Sequence, residues 1–162
     1  MFADEKPTGT TQEIYRELYF QAKGLLEGER DAIANAANLS ALLYDSLADV
    51  NWAGFYLLKG DELVLGPFQG RPACVRIPVG RGVCGTAAER RKSVVVPDVG
   101  KFPGHIACDT ASRSEVVVPL LRGGHLLGVL DIDSRSLNRF DEQDRSGLET
   151  LAQLWVEGSD LE

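Results

Sequence analysis

The chain has 162 residues and no apolar run approaching the roughly 18–20 residues a membrane-spanning helix needs. Its first residues, Met1-Phe2-Ala3-Asp4-Glu5-Lys6-Pro7, lack the basic start and apolar stretch of a secretory leader, so a cytoplasmic location is expected. Basic residues are in deficit: 17 Lys and Arg stand against 24 Asp and Glu, a net charge of −7. Without a basic patch, neither nucleic acid nor an anionic membrane surface is an expected partner. Cysteine is scarce and odd in number, with three in all. In a reducing compartment that excludes a structural disulfide framework and leaves buried apolar thiols, metal ligands or redox chemistry. No C-x-x-C knuckle is present, and Cys74, Cys84 and Cys108 stand too far apart, even with His105, to read as a structural zinc set. No metal ligand is therefore assigned. There is no internal repeat, low-complexity tract or linker. A flexible lead-in over residues 1–9, with Pro7 and Gly9, is expected to precede one domain over residues 10–158.

The apolar fraction is 44% and the charged fraction 25%, both ordinary for a globular core. Thr10 and Glu13 have capping-box spacing, which predicts a helix over 10–26. Its apolar positions fall in two adjacent stripes: Ile14, Leu18, Gln21 and Leu25, and Tyr15, Tyr19, Ala22 and Leu26. A second helix is predicted over 31–48, with Ile33, Ala36, Ser40, Leu43, Tyr44 and Leu47 at helical spacing. Residues 51–58 and 63–68 read as strands joined by a hairpin at Lys59-Gly60-Asp61-Glu62. Residues 115–121 and 125–133 flank Arg122-Gly123-Gly124, where two glycines suit a tight turn with positive φ at both positions. Between the hairpins lies a Gly- and Pro-rich stretch, 69–114, with a short strand over 75–77, a helix over 82–89 and a strand over 93–96. A last helix begins near Asp141, with Phe140 before it and Asp144 three residues on. The expected fold class is α+β: a central antiparallel sheet, N- and C-terminal helices on one face, and an irregular active-site loop region on the other.

All three cysteines fall in that irregular stretch. Cys108 sits in a loop, Phe102-Pro103-Gly104-His105-Ile106-Ala107-Cys108-Asp109, where a thiol is more available than in a strand interior; the alternative is a buried thiol without chemistry. Cys84, in Gly80-Arg81-Gly82-Val83-Cys84-Gly85-Thr86, lies where a helix starts. The helix amides and a nearby Arg favour a thiolate or an anion there, unless Cys84 is an apolar residue facing the sheet. Cys74, in Arg71-Pro72-Ala73-Cys74, says little alone. Asp131 and Asp133 share one strand face, because side chains alternate every residue, and Glu115 opens the partner strand. Three carboxylates converging at one end of a sheet would raise one another's pKa and keep one as a proton donor; dispersed, they would be solvated strand-end charges. Trp52 and Tyr56 share one face of their strand and Ala53 and Phe55 the other. The Trp52–Tyr56 pair is either core or the wall of an apolar pocket.

Taken together, Asn51-Trp52-Ala53-Gly54-Phe55-Tyr56, Leu65-Gly66-Pro67-Phe68-Gln69-Gly70, Gly82-Val83-Cys84-Gly85, His105-Ile106-Ala107-Cys108-Asp109 and Leu130-Asp131-Ile132-Asp133-Ser134 resemble the free methionine-(R)-sulfoxide reductase family of stand-alone GAF domains. The resemblance runs from the first helix to the last. Arg135 departs from the pattern, where Pro follows Asp-Ile-Asp-Ser in many members. The resemblance implies reduction of free L-methionine-(R)-S-oxide to methionine, with Cys108 as nucleophile, Cys84 as its principal disulfide partner and Cys74 as an alternative resolving thiol. It implies that Glu115, Asp131 and Asp133 bind the substrate's ammonium and polarise its sulfoxide, while Trp52 and Tyr56 surround its methyl group. It implies no bound cofactor, thioredoxin as external reductant, and a homodimer. The competing readings are a non-catalytic GAF module binding a small ligand such as a nucleotide, and a thiol redox sensor.

Overall fold

A computed structural model describes residues 5–161. Of the expected lead-in, residues 1–4 lie outside the described residues, and 5–9 form no helix or strand. The helices start where their caps require. Thr10 Oγ1 accepts from the Glu13 backbone N–H at 3.2 Å and opens α1, Thr11–Leu26. Asp31 accepts from the Ala34 N–H at 2.8 Å and opens α2, Ala32–Ser46. Asp141 and Asp144 form a reciprocal capping box for the last helix, Glu142–Gly158, which removes two orphan donors at one helix end.

Between α2 and that helix lie β1 (Trp52–Lys59), β2 (Glu62–Gly70), β3 (Arg76–Pro78), α3 (Gly82–Arg90), β4 (Val94–Val96), a single 3-10 turn over Val99–Lys101, β5 (Ser114–Arg122) and β6 (His125–Ser134); the last helix is α4. The six strands form one antiparallel sheet in the order β3-β2-β1-β6-β5-β4. Gly123 and Gly124 take φ of 53° and 83°, the doubly left-handed turn that suits the twist of β5 and β6.

One sheet face is covered by α1, α2 and α4. Tyr15, Leu18 and Ala22 of α1, Ala36, Leu39 and Leu43 of α2, and Leu148, Leu151 and Trp155 of α4 pack on Ala53, Phe55, Val116, Val118, Leu130 and Ile132. Of the two stripes expected on α1, the one through Tyr15, Ala22 and Leu26 turns inward with Leu18. On α2 the buried stripe is rotated toward Leu39, which leaves Ile33 and Tyr44 at its edge, 54% and 39% exposed, in place of the core positions expected for them. The Tyr15 hydroxyl donates to Asp144 Oδ1 at 2.9 Å and ties α1 to the start of α4.

The opposite face carries α3 and the long loops. Its cluster includes Trp52, Tyr56, Leu63, Ile77, Val83, Cys84, Ala87, Val117 and Val129. Strand alternation accordingly sends Trp52 and Tyr56 to one side of β1 and Ala53 and Phe55 to the other. Among the described residues, no helix is long and apolar enough to cross a membrane.

Candidate active site

Three adjacent strands supply the floor of a cleft on the loop-covered face. In the β5–β6 register Glu115 lies opposite Asp133 and Val117 opposite Asp131. In the β1–β6 register Trp52 lies opposite Asp133 and Gly54 opposite Asp131. The odd positions of β6 therefore place Asp131 and Asp133 on the face that Glu115 and the β1 aromatics share. Glu115 and Asp131 are each 6% exposed, and Asp133 is half-buried. The cleft, a narrow one of about 50 Å³, is lined by all three acids together with Trp52, Tyr56, Cys84, Cys108 and His105.

The aromatic wall is continuous. The Trp52 ring stacks on Phe68 at 5.1 Å and on Tyr56 at 5.9 Å between centroids. Both rings also hold the loop after β2. Trp52 Nε1 donates to the Arg71 carbonyl at 3.1 Å, and the Tyr56 hydroxyl donates to the Cys74 carbonyl at 2.8 Å. These bonds fix the Pro- and Cys-bearing segment 71–75 against β1.

The Cys108 loop is anchored from the other side. Asn51 Nδ2 donates to Asp109 Oδ2 at 3.1 Å and to Ser112 Oγ at 3.0 Å, and the Arg113 N–H donates to the Ser134 carbonyl at 2.7 Å. Gly82, at φ 65°, opens α3 directly beneath this loop; a Cβ there would stand 3.2 Å from Ile106. Two loops from opposite ends of the irregular stretch thus meet, and Cys74 and Cys108 are joined in a disulfide with Cα atoms 5.4 Å apart. Both cysteines are half-buried at the rim.

That pairing corrects the expectation that Cys84 is the principal partner of Cys108. Cys84 is a free, buried thiol. It sits in the first turn of α3, pressed against the floor, with Sγ 3.9 Å from Glu115 Oε2. The thiolate expected from the helix amides is also not favoured. Burial pushes the Cys84 thiol well up, and Asp131, Glu115 and Asp133 push it further. A desolvated sulfur facing carboxylates holds its proton more tightly than a free thiol does.

The carboxylates behave likewise. Burial is the main cause in each case, and a neighbouring acid adds to it: Asp131 for Glu115, Asp133 for Asp131, and Glu115 for Asp133. All three are held well above the ordinary carboxylate range. The acids form one coupled set that retains protons at pH values where isolated acids have lost them. The Tyr56 phenol is pushed up by burial and by Asp131. His105 Nε2 lies 3.9 Å from Glu115 Oε1, and burial lowers its pKa, favouring neutral imidazole.

The structure therefore brings together every residue singled out from the sequence. Trp52, Tyr56, Cys84, Cys108, Glu115, Asp131 and Asp133 line the cleft, and Cys74 reaches it through its bond to Cys108. The sequence reading gave no role to Asn51, Asp109 or Ser112, which hold the Cys108 loop. Their signal was present in Asn51 preceding the aromatic strand and Asp109 following Cys108, but only the fold shows that the two touch. One donor atom each from Cys84, Glu115 and Asp131 lie within 4.8 Å of one another, a spacing that can hold a metal ion.

The GAF domain family model matches residues 34–155. The free methionine-R-sulfoxide reductase of Escherichia coli (strain K12) is 57% identical over 139 residues, which cover 86% of this chain and 84% of that protein. Protein YtsP of Bacillus subtilis (strain 168) is 56% identical over 155 residues, covering 94% of this chain and 95% of that protein. The crystal structure of free methionine-R-sulfoxide reductase from Neisseria meningitidis in complex with its substrate superposes with a TM-score of 0.93 at 46% identity, covering 98% of this chain and 95% of that one. With this sheet order and these relatives over nearly its whole length, the chain belongs to the free methionine-R-sulfoxide reductase family of GAF domains.

Proposed function

We propose that this protein reduces free L-methionine-(R)-S-oxide to L-methionine, with Cys108 as the nucleophile. The observation that carries the reading is a redox-competent thiol pair, Cys74 and Cys108, at the mouth of a cleft floored by proton-holding carboxylates. The named activity of the E. coli and N. meningitidis relatives supports it.

The Cys108 thiolate attacks the sulfoxide sulfur. As the S–O bond weakens, the oxygen needs protons, and Glu115 or Asp133 supplies one as a neutral acid. Methionine leaves and Cys108 carries the oxygen as sulfenic acid. The Cys74 thiol then attacks the Cys108 sulfur, water departs, and the disulfide forms. An external dithiol such as thioredoxin reduces the disulfide by exchange and is itself oxidised. In this scheme Cys74 takes the resolving role, since two separately anchored loops bring it to Cys108 while α3 holds Cys84 on the floor. Trp52 and Tyr56 pack around the methyl group. Asp131 and its neighbours receive the ammonium, which favours a free amino acid over a residue within a peptide. No bound cofactor enters the cycle. A cytoplasmic homodimer, with Phe20 of α1, 61% exposed, among its candidate contacts, belongs to the same proposal.

The test is thioredoxin-coupled turnover with the separated R and S forms of free methionine sulfoxide and a peptide-bound control. Turnover of the free R form alone is expected. Equal turnover of the S form or of the peptide would overturn the assigned specificity, and no turnover of any form would overturn the reading in favour of a sensor or binding module.

A further inference from the structure

The thiol that the proposed cycle leaves unused points to a second ligand. Cys84 is 5% exposed and bonded to no other cysteine. Its Sγ faces Glu115 Oε2 at 3.9 Å, and an oxygen of Asp131 completes a triangle whose corners all lie within 4.8 Å. Asp131 is itself 6% exposed, and its Oδ1 is buried without any hydrogen-bond partner among the described residues. Only a protonated neighbour among the acids or a ligand can satisfy that acceptor, and it lies in the cleft.

We propose that Cys84, Glu115 and Asp131 form a binding site for a thiophilic divalent cation of the zinc class, and that this ion competes with the sulfoxide for the cleft. Ligands about 2.0–2.3 Å from a zinc ion stand roughly 3.3–3.8 Å apart, so the three donors need close by little more than an ångström. A thiolate with two carboxylates suits zinc and its soft neighbours, whereas calcium and magnesium take oxygen ligands throughout. His105 Nε2 lies 3.9 Å from Glu115 Oε1 but outside the three-donor group, so the fourth position of the ion is left to water or another small ligand. On coordination the Cys84 proton, and any proton held by Glu115 or Asp131, passes to solvent, and the positive ion offsets the negative charge left on the three donors. The site is distinct from a Cys₃His zinc centre, since Cys74 and Cys108 are joined to each other and take no part. It makes the ion an inhibitor of the cleft; only this competition rests on the proposed function.

The experiment uses the whole protein with its Cys74–Cys108 disulfide closed, so that Cys84 is the one thiol present. Zinc is titrated against a chromophoric chelator. One ion per chain is expected, with affinity lowered at least about tenfold in Cys84→Ser and in Asp131→Asn but retained in His125→Ala, which alters the other histidine. Wild-type protein loaded with cobalt(II) should show a thiolate-to-metal charge-transfer band, a readout that needs no variant to fold. No zinc binding by the wild type, unchanged affinity in both site variants, or cobalt binding without the thiolate band would each overturn the site. Displacement of the zinc by free methionine-R-sulfoxide supports competition, and zinc retained at saturating sulfoxide refutes it. Zinc binding in a protein with no reductase turnover would sink the proposed function and leave the cation site standing.

Discussion

The two faces of the sheet are built from the same strands, often from neighbouring residues, yet they follow opposite rules. On the helix face, Phe55 meets Trp155 with ring centroids 5.1 Å apart, and several buried polar groups are bonded. Tyr15 donates to Asp144, Ser40 to the Pro67 carbonyl, and Asn35 Nδ2 reaches three acceptors. On the loop face, three acids and a thiol crowd together. The two buried side-chain atoms without partners among the described residues, Asn51 Oδ1 and Asp131 Oδ1, belong to the cleft and the anchor of its Cys108 loop. One face satisfies its groups and holds the fold; the other leaves polar groups unsatisfied or protonated, as a site that must receive a polar ligand does.

Substitutions on each face should separate these roles. The largest effect is expected at the rim. Cys108→Ser should reduce sulfoxide turnover to the uncatalysed level while the urea midpoint of the reduced protein stays put. Cys74→Ser should permit a single turnover and then stop. Retention of multiple turnovers by either variant would remove that cysteine from the cycle.

Next in size is Glu115→Gln. Losing a proton donor should lower turnover about 10²–10⁴-fold, whereas stability at neutral pH should rise. Because burial holds the folded-state pKa of Glu115 above its unfolded value, the folded protein binds the proton more tightly. That advantage is complete below the ordinary carboxylate range and is lost as pH rises toward the elevated value. Wild-type stability should therefore decline as pH climbs through that window, and Glu115→Gln should flatten the decline, with a gain of about 1 kcal/mol or more at its upper end. A lower urea midpoint for the variant at pH 7 would contradict the protonation assignment.

Phe55→Ala tests the other face. It should cost about 3–5 kcal/mol of stability while the folded fraction keeps its KM. An altered KM without a loss of stability would mean that the two faces are not separable. The smallest effect is expected from Tyr56→Phe, which removes only the bond to the Cys74 carbonyl. It should cost about 0.5–1.5 kcal/mol and slow disulfide formation more than the first turnover, as read by quenched-flow thiol trapping. An unchanged rate of disulfide closure would show that the bond does not position Cys74.

Much of this division is legible in the sequence, because it is local. Alternation along Trp52-Ala53-Gly54-Phe55-Tyr56 and Asp131-Ile132-Asp133 assigns faces without any knowledge of neighbours, and Thr10, Asp31 and Asp141 mark helix starts through bonds spanning three residues. The edges of buried stripes are less legible. Ile33 and Tyr44 fit the helical period but end up exposed, since the angle at which α2 meets the sheet depends on side chains elsewhere. The roles of Asn51 and Asp109 were hidden for the same reason: they are 58 positions apart and meet only across the fold.

The amino-acid order by itself determined the element sequence, the side of the sheet on which each aromatic and acid lies, and the kinship with methionine-R-sulfoxide reductases. Tertiary structure decided which sulfur meets Cys108 and which groups keep their protons. Sulfur pairing depends on loops anchored through distant hydrogen bonds, and proton affinity depends on the water and charge removed from around a group. Neither quantity is a property of any short stretch of chain.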